Sequence, residues 1–411
     1  MVEVFALGSN SGGQLGTGDK EDAHKPTPCK FSQEAWVYNI VGGGNHAFAW
    51  PQDGSQLCAV GSNKDGQLGF GYSREVNMVI AEGKKVDFEL KWKPVKMPEE
   101  GRIKQIACGW SHSLALMEDG KVFATGSNDY RQISDGSTNG FLEWMPCPSV
   151  RNIPKVTAIA CGMRHSVAVS EDSSLVLWGA NRHGQLGHES KSKKDPDPCP
   201  VHFSKMLPPI AMVAGGRNHT VVIAEDRKTV FVAGQDKFGQ CGPSSSETVM
   251  PTSTWRSFVL PRPAKKLCSG WDSCAVLLEP DKNAPNNVVM WGRADHGQLG
   301  RKMDVQFSRE LVEVPLANVD DLACGSNHAI AKTSDGSVYL WGWNEHGNAG
   351  DPSLQDVYEP LKLTDWPPHM GSIAVVSIGC GYGNSYVGLE KALNDSPADS
   401  VIRPVVKKRL I

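Results

Sequence analysis

The residues most open to a chemical reading are eleven cysteines, a recurring histidine and a recurring glycine-rich loop. Cysteines bind metals, pair as disulfides or act as nucleophiles, but only in particular settings. Here no two have C-x-x-C spacing, the count is odd and the chain runs to 411 residues, so neither a zinc site nor a secreted disulfide framework is expected. Cys108, Cys161, Cys324 and Cys380 each stand directly before a glycine, where other copies carry Gly42, Gly215 and Ser269. That pattern reads as a position for small, buried side chains. The sequence offers no case for a charge that would stabilise a thiolate there.

His46, His112, His165, His219 and His328 each follow a glycine by three residues, and Ser273 and Asn384 replace them in two copies. A shared metal would need these ligands to converge. An imidazole can donate and accept at once, so each is expected to satisfy hydrogen bonds inside its own repeat unit. The loops of type G-x-N-x-x-G-Q-L-G are as rich in glycine as a phosphate loop but lack the G-K-[ST] ending. No nucleophile–base pair stands out. The expectation is therefore no catalytic residue, no metal, no cofactor and a chain that is not an enzyme.

Two interleaved series must position these residues. The loop motif starts at Gly8, Gly61, Gly126, Gly179, Gly234, Gly292 and Gly342, at intervals of 50 to 65 residues. The histidine motif has its glycines at Gly43, Gly109, Gly162, Gly216, Gly270, Gly325 and Gly381. Such a period belongs to propellers or arrays rather than independent domains. Each unit can be built locally: His112 to Met117 and Lys121 to Ala124 alternate, and Asp119-Gly120 between them is a favoured hairpin turn. Asp53-Gly54 and Asp335-Gly336 repeat the device.

A unit of this size makes a four-stranded sheet, which cannot bury both faces alone. The chain starts on a loop-motif strand (Val2 to Leu7) and ends on a histidine-motif strand (Ile378 to Leu389), so the termini are expected to share one unit. The predicted fold is all-β, a single seven-bladed β-propeller over residues 1–389, closed by its N- and C-terminal strands. Residues 72–98 are expected to be an insertion within it, and 390–411 a flexible C-terminal tail.

A net charge of −3 gives no support for a bulk nucleic-acid binder. The longest apolar stretches, such as Ser372 to Cys380, are too short to span a bilayer, and Met1 to Phe5 lacks the layout of a signal peptide. The expected setting is cytoplasmic, with no direct nucleic-acid or membrane contact. The basic cluster Lys407-Lys408-Arg409 allows a nuclear-import signal.

Candidate partner-binding residues come from the variable positions of the two motifs. The residue after the histidine-motif glycine is Gly44, Trp110, Met163, Arg217, Trp271, Ser326 or Tyr382. Large aromatics at a loop mouth suit interface anchors, which selects Trp110, Trp271 and Tyr382. Asp272 follows Trp271 in the copy that lacks histidine. In the seventh loop motif, Trp343, Glu345 and His346 replace commoner small or polar residues. Trp178, Trp291 and Trp341 precede loop glycines on strands and are expected in the core.

The two motifs, G-x-N-x-x-G-Q-L-G and C-G-x-x-H, resemble the regulator of chromosome condensation family over essentially residues 1–389. The stretches Val4 to Asn10, Gly270-Trp271-Asp272 and Val338 to Asn348 look more narrowly like its fungal alpha-tubulin suppressor, or killer toxin insensitivity, branch. That resemblance implies a non-catalytic scaffold in a heterodimer with a small zinc-ribbon electron-carrier protein. Such a scaffold supports diphthamide synthesis on elongation factor 2 and Elongator-dependent wobble-uridine modification of tRNA. The broader family implies an alternative, a guanine-nucleotide exchange factor for a Ran-like small GTPase. A light sensor resembling the plant ultraviolet receptor of the same fold is disfavoured, because Trp110 and Trp271 lie three blades apart and excitonic coupling needs clustered tryptophans.

Overall fold

A computed structural model of the chain describes residues 2–71, 87–134, 138–188, 201–202, 207–243, 255–366 and 373–391. Among the described residues, twenty-eight strands form seven antiparallel four-stranded sheets. Helix is confined, among the described residues, to one 3-10 turn at Pro148–Val150. We number the blades from the first that is continuous in the chain. Their innermost strands are Asn39–Gly42, Ile103–Cys108, Val156–Cys161, Ile210–Gly215, Ala264–Ser269, Val319–Cys324 and Ile373–Cys380. Blade 7 joins the termini as predicted: Val2–Gly8 pairs antiparallel with Asn384–Lys391, from Val2 opposite Glu390 to Gly8 opposite Asn384.

The middle strands show why single blades need neighbours. His112–Met117 is buried along its whole length, although its sequence alternates. Leu114 and Leu116 pack with Val176 and Trp178 of blade 3, while Ala115 and Met117 pack with Phe48 and Trp144 on the blade 1 side. Both faces are thus interior, and the alternation assigns each side chain to one seam or the other. Trp178, Trp291 and Trp341 are core residues, as expected.

The loop motif is a closed turn. Asn10 Oδ1 accepts the Leu15 N–H at 3.0 Å, and Gln14 Oε1 accepts the Gly12 N–H at 2.9 Å. Asn128 and Gln132 repeat the pair in blade 2. The final glycine leaves room for an aromatic of the adjoining blade. A β-carbon on Gly16 would lie 2.4 Å from Trp92, and one on Gly69 would lie 2.3 Å from Trp144. The asparagine, the glutamine and the last glycine are therefore structural.

The histidines are structural too, but not within their own blades. His46 Nε2 meets Ser113 Oγ of the next blade at 2.8 Å, and that hydroxyl donates back to the Gln67 carbonyl at 2.9 Å. Since the hydroxyl spends its proton on the carbonyl, it accepts from Nε2–H, which fixes the tautomer. His112 with Ser166, His165 with Thr220 and His328 with Ser385 repeat the clasp at 2.9 to 3.0 Å. His219 reaches Cys274 Sγ at 3.2 Å and Ser269 Oγ at 3.1 Å. The expectation of intra-blade bonding is corrected: each imidazole holds the neighbouring blade. Burial pushes His46, His112 and His165 down to about 3, and His219 and His328 down to about 4, so all five are neutral.

Phe88–Val95, inside the expected 72–98 insertion, is the fourth strand of blade 1 and carries the buried Trp92. Residues 72–86 of that segment and 392–411 of the tail, including Lys407-Lys408-Arg409, lie outside the described residues. No helix of the described residues is long and apolar enough to cross a membrane.

Candidate interaction face

Strand pairing puts every candidate residue on one face. His112 at the start of the second strand pairs with Gly126 at the end of the third. The loop entering the second strand and the loop leaving the third therefore emerge on the same side of each blade. Both variable positions of the repeat face that side.

Around the axis the histidine-motif loops are locked by a closed circle of backbone hydrogen bonds. Gly44 N–H donates to Gly109, Trp110 to Met163, Met163 to Gly216, Arg217 to Trp271, Trp271 to Ser326, Ser326 to Tyr382 and Tyr382 to Gly43, at 2.7 to 3.2 Å. Each bond joins one blade to the next. The circle holds the following side chains in place over the axis.

There Trp110, Trp271 and Tyr382 meet. Their ring centroids lie 5.9 Å (Trp110–Trp271), 5.9 Å (Trp110–Tyr382) and 5.7 Å (Trp271–Tyr382) apart. The expectation that Trp110 and Trp271 are separated is corrected, because residues three blades apart face each other across a narrow axis. The Trp271 indole N–H is buried with no partner among the described residues. Arg217 lies over the Trp271 ring at 5.2 Å. Burial pushes the Tyr382 phenol far up, so it stays neutral.

Asp272 sits beneath this cap, 3% exposed, and accepts from Gln240 Nε2 at 2.9 Å. Burial raises its carboxyl, while the Gln240 hydrogen bond and then Arg217 and Arg293 oppose the shift. It is a buried anchor of the loop more than a contact surface. Trp343 and His346 pack edge to face at 5.1 Å towards the blade 6 rim, and His346 Nδ1 lies 2.6 Å from Asp22 Oδ2 of blade 7. Glu345 beside them is exposed. A β-carbon on Gly383 would lie 3.9 Å from the Trp343 ring, so Trp343 borders the loop that carries Tyr382.

Sequence reasoning missed the cations of this face. Arg164 lies over Tyr130 at 4.5 Å, and Arg293 and Lys237 lie over Phe238 at 4.8 and 5.1 Å. Each pair joins a histidine-motif or loop-motif position to another such position, so a comparison of variable positions between motifs would have found them. The face is thus a half-buried aromatic cap with arginine-covered aromatics beside it, a composition typical of interface cores.

Behind the cap a cavity of about 380 Å³ runs along the axis, walled by the innermost strands. Cys108, Cys161, Cys324 and Cys380 line it, as the small-residue reading implied. Among the described residues no three His, Cys, Asp or Glu side chains are grouped to hold a metal ion.

The RCC1-like domain model matches residues 3–387. A mouse protein named secretion-regulating guanine nucleotide exchange factor is 30% identical over 93% of this chain and 82% of its own. The ultraviolet-B receptor of Arabidopsis thaliana is 28% identical over 88% of this chain and 78% of its own. Among solved structures, Prp20p of Saccharomyces cerevisiae superposes with a TM-score of 0.80 at 21% identity, covering 96% of this chain and 92% of that one. The expectation that the chain is not an enzyme is overturned by the mouse relative, which carries the name of a catalyst of nucleotide exchange. That expectation looked for nucleophiles and bases, and exchange makes or breaks no covalent bond. Motifs, blades and closure agree with the matched model, and the chain belongs to the RCC1-like domain family.

Proposed function

We propose that this chain is a guanine-nucleotide exchange factor for a Ran-like small GTPase, docking it on the motif face. The observation that carries this reading is the 30% identity, over most of both chains, to the mouse exchange factor. An exchange factor binds the nucleotide-free GTPase more tightly than the loaded one, and by linkage it lowers nucleotide affinity by the same factor. What it needs is a rigid surface that holds its shape while the GTPase deforms. The circle of backbone bonds and the histidine clasps provide one. On that surface Trp110, Trp271 and Tyr382 serve as central anchors, with Arg217 beside them and Trp343, Glu345 and His346 towards the rim. Asp272 holds the central loop from below.

The test is release of a fluorescent guanine nucleotide from Ran-like GTPases, with W110A, Y382A and R217A chains in parallel. Acceleration by the wild type and its loss in the variants support the proposal. No acceleration, together with stable capture of a small zinc-ribbon protein, would replace it with the diphthamide- and Elongator-linked partnership.

A further inference from the structure

One of the seven seams differs from the rest where the blades meet the axis. Two residues before the histidine-motif glycine the inner strands carry Val41, Ala107, Ala160, Ala214, Ala323 and Gly379, but blade 5 carries Cys268. Side chains at that position lean towards the following blade: Cys268 Sγ lies 3.3 Å from the Leu322 carbonyl of blade 6. Side chains one residue later lean back: Cys161 Sγ lies 3.5 Å from the Ala107 carbonyl of blade 2. Cys324 has this second position in blade 6. A forward-leaning and a backward-leaning thiol therefore face the same seam, between blades 5 and 6.

Both thiols are half-buried, unpaired as disulfides and part of the wall of the axial cavity. Lys266 lies two residues before Cys268 on the same side of its strand, with Nζ 2.6 Å from Asp321 Oδ1 across the same seam. The neighbouring Cys324 thiol, and then the Lys266 ammonium, hold the Cys268 thiol below the ordinary range against burial and Asp321. The Cys268 thiol and burial push Cys324 well up, with Cys380 and Cys274 adding to it. Burial pushes the other axial thiols, Cys108, Cys161 and Cys380, up as well. Cys268 is thus the sulfur set apart by its surroundings.

We propose that Cys268 and Cys324 form a peroxide-reactive dithiol, with Cys268 attacking and Cys324 resolving, whose disulfide staples blades 5 and 6 at the axis. The Cys268 thiolate attacks one oxygen of hydrogen peroxide, the O–O bond breaks and hydroxide leaves, giving a sulfenic acid. The Cys324 sulfur then attacks the Cys268 sulfur, the S–O bond breaks and water leaves as the S–S bond forms. The two thiols lose two electrons and two protons, and the peroxide is reduced to two waters. The reaction goes beyond nucleotide exchange and does not depend on it.

The experiment uses the full chain, reduced, freed of reductant and exposed to hydrogen peroxide at neutral pH. It is then blocked with N-ethylmaleimide and mapped by peptide mass spectrometry. The expected product is a single linked pair joining the Cys268 and Cys324 peptides, two hydrogens lighter than their sum and reverted by dithiothreitol. A C324S chain is expected to hold sulfenic acid at Cys268, trapped by dimedone, and K266Q to link about tenfold more slowly. Full alkylation of both cysteines after peroxide, or a link from Cys268 to another cysteine, overturns the proposal in the wild-type chain alone, whatever the variants do. A K266Q chain that links as fast as the wild type contradicts it as well.

Discussion

Acid should unfold this propeller well above the pH at which its carboxylates titrate, because its five clasp imidazoles are buried where a charge is disfavoured. His46, His112 and His165 stand at about 3, and His219 and His328 at about 4. In the unfolded chain a histidine titrates near 6.5. Folded values below unfolded ones mean that the unfolded state takes up protons first. The stability of the clasps is complete above about 6.5 and is lost as pH falls from there towards 3 to 4. Each histidine costs about 0.8 kcal/mol at pH 6 and about 2 kcal/mol at pH 5. All five are fully buried, so solvent screening does not discount them. Five together withdraw about 4 kcal/mol at pH 6 and on the order of 10 kcal/mol at pH 5, comparable with the whole stability of a typical domain. Urea unfolding at pH 7.5, 6.5, 6.0 and 5.5 should show the midpoint falling steeply. H112N places in blade 2 the residue that blade 7 carries as Asn384. It should weaken the protein at pH 7.5 and reduce the acid slope by about one fifth. A midpoint flat between pH 7.5 and 5.5, or a slope unchanged in H112N, would show that the buried imidazoles do not set the acid limit of the fold.

Other perturbations test single contacts. Ser113→Ala removes the acceptor of the His46 Nε2–H and leaves a buried donor unpaired, so thermal unfolding should report a loss of about 1–3 kcal/mol, with Ser113→Thr close to wild type. A β-carbon at Gly215 would lie 2.4 Å from the Gly162 backbone nitrogen, so Gly215→Ala should lower the melting temperature, and an unchanged one would show that the inner strands can separate. The Trp110–Trp271 approach at 5.9 Å should give a coupled near-ultraviolet circular dichroism band that W110F and W271F each abolish, and additive spectra would contradict the cap. Asp22→Ala removes both the His346 partner between blades 6 and 7 and the acceptor of the Asn10 N–H in the buried loop turn, so it should cost about 1–3 kcal/mol in urea unfolding.

The fold was legible because seven copies average out local ambiguity. A single strand such as His112–Met117 leaves open what covers its two faces, but seven copies in fixed phase with an open unit at each end admit one closed ring. The anchor residues were legible as variable positions inside invariant turns. Their meeting was not: Trp110, Trp271 and Tyr382 are set across the axis, and chain spacing carries no information about distance across a ring. The histidine partners were misplaced for a related reason. A repeat displays His46 and Ser113 as adjacent members of the series, yet not that the sheets stack with those two groups in contact. The Cys268–Lys266 neighbourhood was hidden because Cys268 lies one residue away from the position that the other axial cysteines share.

Nucleotide release reads exchange on the motif face without an intermediary. A Ran-like GTPase loaded with a fluorescent guanine nucleotide is mixed with excess unlabelled nucleotide and catalytic amounts of this chain. Release should be accelerated at least about tenfold, with most of the acceleration lost in Y382A and W110A chains that keep their circular dichroism. Release at the intrinsic rate across a panel of Ran-like GTPases, or full acceleration by both variants, would contradict it.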